Sequence, residues 1–111
     1  MSTLKFKISG SDISGNDATI GFTTDAVEWC YSHDWSVGMT TSGIDGAATY
    51  TIEVSNDNVT WYEYDANSTD LSVADSFEWD YFGYKYQRLV YTPTGVTVGT
   101  ITALYTINND N

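Results

Sequence analysis

The chain has 111 residues, of which 41% are hydrophobic, 15% aromatic and 17% charged, and this is the composition of a globular protein. Fifteen acidic residues against four basic ones give a formal net charge of −11. A field of this sign repels phosphate groups, so binding to nucleic acid or to an anionic membrane surface is not expected.

The cysteine content and the N-terminal residues indicate the cellular compartment in which the chain folds. Cys30 is the only cysteine, so an intramolecular disulfide is excluded. A chain of this length can bury enough surface to fold without one, and we expect a single domain over residues 1–111, synthesised in a reducing cytoplasm. Residues 1–5 contain no long apolar run, so neither a signal peptide nor a transmembrane helix is predicted.

Apolar and polar residues alternate in the first half of the chain. Leu4, Phe6 and Ile8 alternate with two lysines, which is the pattern of a half-buried strand. A turn rich in Gly, Ser and Asp follows over 9–17. The strands predicted in this half cover 4–8, 18–23, 27–33 and 35–40.

The second half continues the period of two. Turns are predicted at Asp45-Gly46 and at Ser55–Asn58, and a polar loop is predicted over 65–70. Pro93 ends a long strand because proline cannot donate to a ladder. The strands predicted in this half cover 48–54, 59–64, 71–73, 77–81, 84–92 and 98–107.

These segments give about eight to ten short strands at regular spacing and no convincing helix. The pattern predicts an all-β fold, an antiparallel two-sheet sandwich or jelly roll with one wet face on each sheet.

Catalytic chemistry has little support in the sequence. Cys30 and His33 are close enough in the sequence to suggest a nucleophile and its base, but they are three residues apart and on a strand would point to opposite faces, which argues against that pair. The chain has too few Cys and His for a zinc site. No P-loop, nucleophile-elbow or metalloprotease pattern occurs. We therefore predict no enzymatic activity and no cofactor.

Acidic residues offer a second source of chemistry. A glycosidase needs two carboxylates beside a cleft, but Glu53, Glu63 and Glu78 fall on polar positions of the alternation and are predicted to be solvated. The loops 12–17 and 57–58 carry hard oxygen ligands for calcium. They lack the EF-hand spacing, and turn formation explains their Asp and Asn without a metal, so no metal site is predicted.

Aromatic residues are in excess, with four Trp, nine Tyr and four Phe. Exposed rings could stack on sugars or anchor a protein interface, and buried rings would fill a thin core. Alternation alone leaves these readings open. The rings selected as candidates for an interface or for sugar stacking are Trp29, Trp35, Trp61, Tyr62, Tyr64 and Tyr84.

Two stretches resemble known families. The run Tyr50–Trp61, with Ser55-Asn56-Asp57-Asn58 before Thr60-Trp61, resembles the strand–turn–strand of discoidin-like β-sandwiches, in which glycine usually stands at the place of Asn58. The run Tyr84–Tyr91 is similar to the strand of that family that carries a Tyr-x-Arg-Val pattern. Together with the ending Gly99–Tyr105, both runs resemble small virion proteins of tailed bacteriophages.

The resemblance implies a structural protein of a virion, most simply a capsid decoration protein that docks on the shell and stabilises it. Its partners would be other virion proteins, above all the major capsid protein, and self-association is possible. A carbohydrate-binding module for host adsorption, or a domain of a tail or fibre, is the alternative. The resemblance covers the second half of the chain and carries no ligand residues over.

Overall fold

The computed structural model describes residues 2–28, 34–69, 75–79 and 84–108, and this part of the chain forms strands and turns without a helix. It accordingly contains no helix that could cross a membrane. The strands are β1 (Ser2–Lys5), β2 (Lys7–Ile8), β3 (Ser11–Asp12), β4 (Asn16–Asp17), β5 (Phe22–Thr23), β6 (Val27–Glu28), β7 (Asp34–Ser42), β8 (Ala48–Ser55), β9 (Tyr62–Thr69), β10 (Asp75–Trp79), β11 (Tyr86–Pro93) and β12 (Thr100–Asn108).

Ten of these strands form two antiparallel sheets. The first sheet has the order β1-β12-β7-β10, with β4 also paired to β12, and the second has the order β5-β11-β8-β9, with β6 also paired to β11. β2 and β3 make a small hairpin. With β5 and β6 taken as one interrupted strand, the two sheets have the strand order of a jelly roll. The predicted antiparallel sandwich of jelly-roll type is confirmed.

The second sheet fills the core with rings and branched aliphatics. Along β8 and β11 every second side chain is buried, including Tyr50, Ile52, Leu89 and Tyr91. The rings of Tyr50 and Tyr91 stack with centroids 5.6 Å apart. The Tyr91 hydroxyl donates to the carbonyl oxygen of Ala18 at 2.7 Å, and burial raises the pKa of this phenol.

The first sheet supplies the facing layer. Val37 and Met39 from β7 and Ile101 and Ala103 from β12 are fully buried. Tyr105, on the same face of β12, is half-buried, as the alternation predicts. Its ring lies 4.9 Å from that of buried Phe6.

Several predicted element boundaries are wrong. The segment 4–8 is not one strand, because the chain leaves the first sheet after Phe6, whose amide still donates to the carbonyl oxygen of Ala103 at 2.9 Å. Leu4 remains 48% exposed. Of the predicted strand 18–23, only Phe22–Thr23 is extended, because residues 18–20 form a turn in which the Asp17 carboxylate accepts the Thr19 amide.

The predicted polar loop 65–70 is wrong as far as Thr69. β9 continues to that residue, since its backbone pairs with β8 down to Ala48. The described part also holds more strands than the eight to ten expected, because five of them have only two residues. The predicted strand 71–73 lies outside the described residues.

Two loops meet at the end of the sandwich that holds Ala47. The carbonyl oxygen of Ala47 accepts the amides of Thr94 and Gly95, at 2.9 and 3.0 Å. A Cβ added to Gly46 would come within 2.0 Å of the Gly95 carbonyl oxygen. Glycine is therefore required at position 46 by the close approach of the two backbones.

Candidate binding surface

The turn between β8 and β9 is built by two short polar side chains. The Ser55 hydroxyl accepts the amide of Asn58 at 2.9 Å and donates to the Asp57 carboxylate at 2.9 Å. Asp57 Oδ1 also accepts the amides of Val59 and Thr60, at 2.9 and 2.8 Å. These bonds favour the ionised carboxylate and lower the pKa of Asp57 to about 2.

Asn58 takes the left-handed conformation in this turn, with φ of 61°. Glycine reaches that region without cost, and asparagine is one of the few other residues that visit it routinely. The conformation of this turn therefore accepts asparagine or glycine at position 58.

The turn delivers Trp61 onto the outer face of the second sheet. There the guanidinium carbon of Arg88 lies 4.0 Å from the centre of the Trp61 ring. Arg88 Nε donates to Oε1 of Glu53 at 2.7 Å. The Arg88 and Glu53 side chains keep 28% and 26% of their exposure, so the stack and the ion pair are partly shielded from water.

Strand pairing places a third charged side chain in the same row. Arg88 on β11 lies directly opposite Glu53 on β8, and Glu53 lies directly opposite Glu63 on β9. Residues opposite each other in an antiparallel pair share a face of the sheet. Glu63 is exposed, and the row across the outer face therefore runs cation, carboxylate, carboxylate.

A β-bulge follows this row on β9. The register shifts between Ile52 and Glu53 of β8, which leaves Tyr64 as the extra residue. Tyr62 and Tyr64, on either side of Glu63 in the sequence, are 58% and 37% exposed. The Tyr64 ring meets the ring of Tyr84 edge-on, with centroids 5.7 Å apart.

We call the rings of Trp61, Tyr64 and Tyr84 the aromatic patch. Tyr62 lies directly opposite Val54, whose side chain is buried in the core, so Tyr62 belongs to the other face of β9 although it is exposed. The structure places these four predicted site residues on β9 or on the segments that lead into β9 and β11. Of Trp35 only the backbone, in β7, is described, and Trp29 lies outside the described residues, as do Cys30 and His33. The sequence did not predict that Arg88 contacts Trp61 and pairs with Glu53, because these contacts depend on the register of the strands.

The acidic loops considered for calcium use their carboxylates locally. Asp17 accepts both the amide and the hydroxyl of Thr19, Asp12 forms an ion pair with Lys7, and Asp57 accepts three donors in its own turn. No group of three or more potential metal ligands was found within the described ranges.

A groove of about 380 Å³ lies between the first sheet and β6, lined in part by Leu4, Lys7, Asp25 and Tyr105. Two of its charged side chains, Lys7 and Asp25, are engaged within the chain. Lys7 pairs with Asp12, and the Asp25 carboxylate accepts the amides of Ser9 and Gly10 at 2.9 and 2.8 Å. We therefore take the aromatic patch, and not this groove, as the candidate site.

Comparison with known proteins adds the following. No protein-family model matches the chain, and no curated protein matches it. Two of the solved structures that match in fold each share 12% identity over 88% of this chain. One is a carbohydrate-binding module, CBM4, with a TM-score of 0.47 and 66% of its chain covered. The other is the Yersinia pseudotuberculosis-derived mitogen, with a TM-score of 0.44 and 91% covered. At these values the matches carry no argument about function.

Proposed function

We propose that this chain is a non-enzymatic structural protein of a tailed-bacteriophage virion, a capsid decoration protein that docks through the aromatic patch. The observation that carries the proposal is the contact of Arg88 with the Trp61 ring on the outer face of the second sheet, together with the exposed Tyr64 ring on β9 and its contact with Tyr84. Trp, Tyr and Arg are the residue types that dominate the energetics of protein interfaces.

The patch is already ordered before any partner arrives. The Ser55–Asp57 turn fixes the backbone that leads into Trp61, and Glu53 holds Arg88 against the ring. Binding then loses little side-chain freedom, which is the main cost that a preorganised surface avoids. The jelly-roll order is compatible with this role, since viral capsid domains are among the proteins built on it.

Stabilisation of the shell would follow from mass action. A protein that binds the assembled shell and not its separated subunits shifts the equilibrium towards assembly. The resemblance of residues 50–61 and 84–105 to small virion proteins favours the major capsid protein as the partner.

The test compares virions with and without this protein. Mass spectrometry of purified particles should detect the chain, and particles lacking it should lose their genome at a lower temperature. Added Tyr64→Ala protein should rebind such particles at least tenfold more weakly, which corresponds to the more than 1 kcal/mol expected of an anchor. Ile20→Ala is the matched control, because Ile20 is 63% exposed and lies off the patch. Absence of the chain from every particle would overturn the proposal.

A carbohydrate-binding module is the second candidate, favoured by the exposed ring of Tyr64. Such rings can stack on the apolar faces of sugars. A glycan array should then give hits that Tyr64→Ala abolishes and Ile20→Ala retains. An array without hits, together with particle binding that free sugars do not inhibit, would exclude this candidate.

A further inference from the structure

We propose that the outer face of the second sheet around Glu53 and Glu63 receives a basic side chain, Lys or Arg, from the protein on which the patch docks. The inference rests on the proposed function and adds the chemistry of the partner. It starts from the direct opposition of two glutamates, Glu53 on β8 and Glu63 on β9.

Directly opposite side chains in an antiparallel pair have Cβ atoms about 4.5–5.5 Å apart, and like charges at such positions destabilise the sheet. The chain keeps two carboxylates there, although either position could be filled by one of the threonines that are common on this face. Rules of local consistency are broken most often where a surface has a function.

Among the described residues, only one cation, Arg88, forms an ion pair with either of these two glutamates, and its partner is Glu53. Arg88 is engaged by Glu53 and by the ring of Trp61. Lys7 pairs with Asp12, and Lys5 donates to Ser14, both away from this sheet. The fourth cation, Lys85, lies over the ring of Tyr86, with its Nζ 5.4 Å from the ring centre. In the described part of the chain, no cation forms an ion pair with Glu63, so the row across the face has one carboxylate in surplus.

The surroundings of Glu63 suit a cation from outside. Tyr64, the bulge residue next to Glu63, is 37% exposed, and ring faces attract ammonium and guanidinium groups. Trp61 with Arg88 shows the same kind of contact made within the chain. A partner's Lys or Arg entering here would gain a carboxylate and aromatic contacts together.

The charge of the whole chain points the same way. A net charge of −11 attracts basic surfaces from a distance and raises the rate at which they associate. Long-range attraction does not determine which face of the protein a basic partner contacts. We infer that the carboxylate of Glu63, beside the aromatic patch, determines it.

The test uses the full ¹⁵N-labelled chain and a short probe, the peptide acetyl-Arg-Gly-Arg-amide, in a buffer with EDTA. Titration should shift the amide signals of residues 61–64 and 88 and the indole signal of Trp61. Glu63→Gln should weaken the apparent affinity several-fold. The acidic peptide acetyl-Glu-Gly-Glu-amide should shift none of these signals.

Glu28→Gln is the matched control. Glu28 is an exposed glutamate on β6, at the other edge of the same sheet and three strands from β9, or about 14 Å away. Both variants remove one charge, and at 0.15 M salt that separation exceeds the screening length of about 8 Å. Equal weakening by the two variants, or shifts spread over all acidic regions, would overturn the inference.

The peptide titration needs no virion, so the two proposals fail separately. If wild-type protein does not bind particles while the peptide maps to Glu63, the virion role falls and the cation site stands. If particles bind and Glu63→Gln associates with them as fast as Glu28→Gln, the cation site falls and the docking role stands.

Discussion

The guanidinium carbon of Arg88 lies 4.0 Å from the centre of the Trp61 indole ring. This contact joins Arg88, on β11 of the second sheet, to Trp61, which follows the turn between β8 and β9. Its strength is therefore the first quantity to measure.

A double-mutant cycle with Trp61→Ala and Arg88→Ala measures that strength. At a partly exposed site a cation–π contact contributes about 0.5–1 kcal/mol, and we expect a coupling energy of that size in urea denaturation at pH 7. The pair Tyr86 and Arg88, neighbours on the same face of β11, provides the control cycle with Tyr86→Ala. A coupling for Trp61 no larger than for Tyr86 would contradict the prediction.

Asn58 should respond to substitution through its backbone. Asn58→Ala places a residue with a Cβ and no compensating side-chain amide at φ of 61°, and we expect a loss of about 1 kcal/mol in the free energy of unfolding. Asn58→Gly should be neutral within about 0.5 kcal/mol, because glycine reaches this region freely. Equal destabilisation by both changes would show that the side chain of Asn58, and not its φ, matters.

Asp57 should make unfolding depend on pH in acid. Its pKa in the folded chain is about 2, below the ordinary value of about 3.9 in an unfolded chain. Its stabilising effect is therefore complete above about pH 4 and is lost as the pH falls through about 2. Asp57→Ala should be less stable than wild type at pH 6, and the difference should shrink towards zero near pH 2.

The carboxyl carbon signal of Asp57 gives a direct check by NMR titration. A midpoint near the ordinary value, or a stability difference that persists unchanged at pH 2, would contradict the account of the turn. Ser55→Ala should raise the Asp57 pKa, because the Ser55 hydroxyl is one of its donors.

Gly46 and Gly95 face each other and should tolerate alanine very differently. A Cβ on Gly46 would meet the Gly95 carbonyl oxygen at 2.0 Å, whereas a Cβ on Gly95 would lie 3.5 Å from its nearest atom, the Ala47 nitrogen. Gly46→Ala should lower the free energy of unfolding by more than about 2 kcal/mol, within the range of overpacking. Gly95→Ala should change it by less than about 0.5 kcal/mol. Thermal and urea denaturation of the two variants measures the contrast.

Much of the fold could be predicted from local pattern. Tyr50, Ile52 and Val54 alternate with polar residues, and they do form the buried face of β8. The prediction failed where pairing overrode composition. The segment from Asp65 is polar enough for a loop, yet its backbone completes the edge of the second sheet beside β8.

The site was predictable only in part. Trp61 and Tyr62 follow a recognisable turn, so their exposure next to it could be anticipated. Tyr91 looks no different in sequence from Tyr84, yet it is buried and bonded to Ala18. Arg88, Glu53 and Glu63 come together only because of the register of the three strands that carry them. Alternation in the sequence predicts which face of a sheet a residue lies on, but it does not predict which residue of the next strand lies beside it.

The pairing of β1 with β12 has a kinetic consequence. Ser2 lies opposite Ile107 and Lys5 lies opposite Leu104, so the first sheet gains β1 only when segments about a hundred residues apart have met. Closing so long a loop must precede most of the contacts that reward it. We expect refolding on the millisecond-to-second scale typical of sandwiches, with β1 among the last strands to become protected from amide hydrogen exchange.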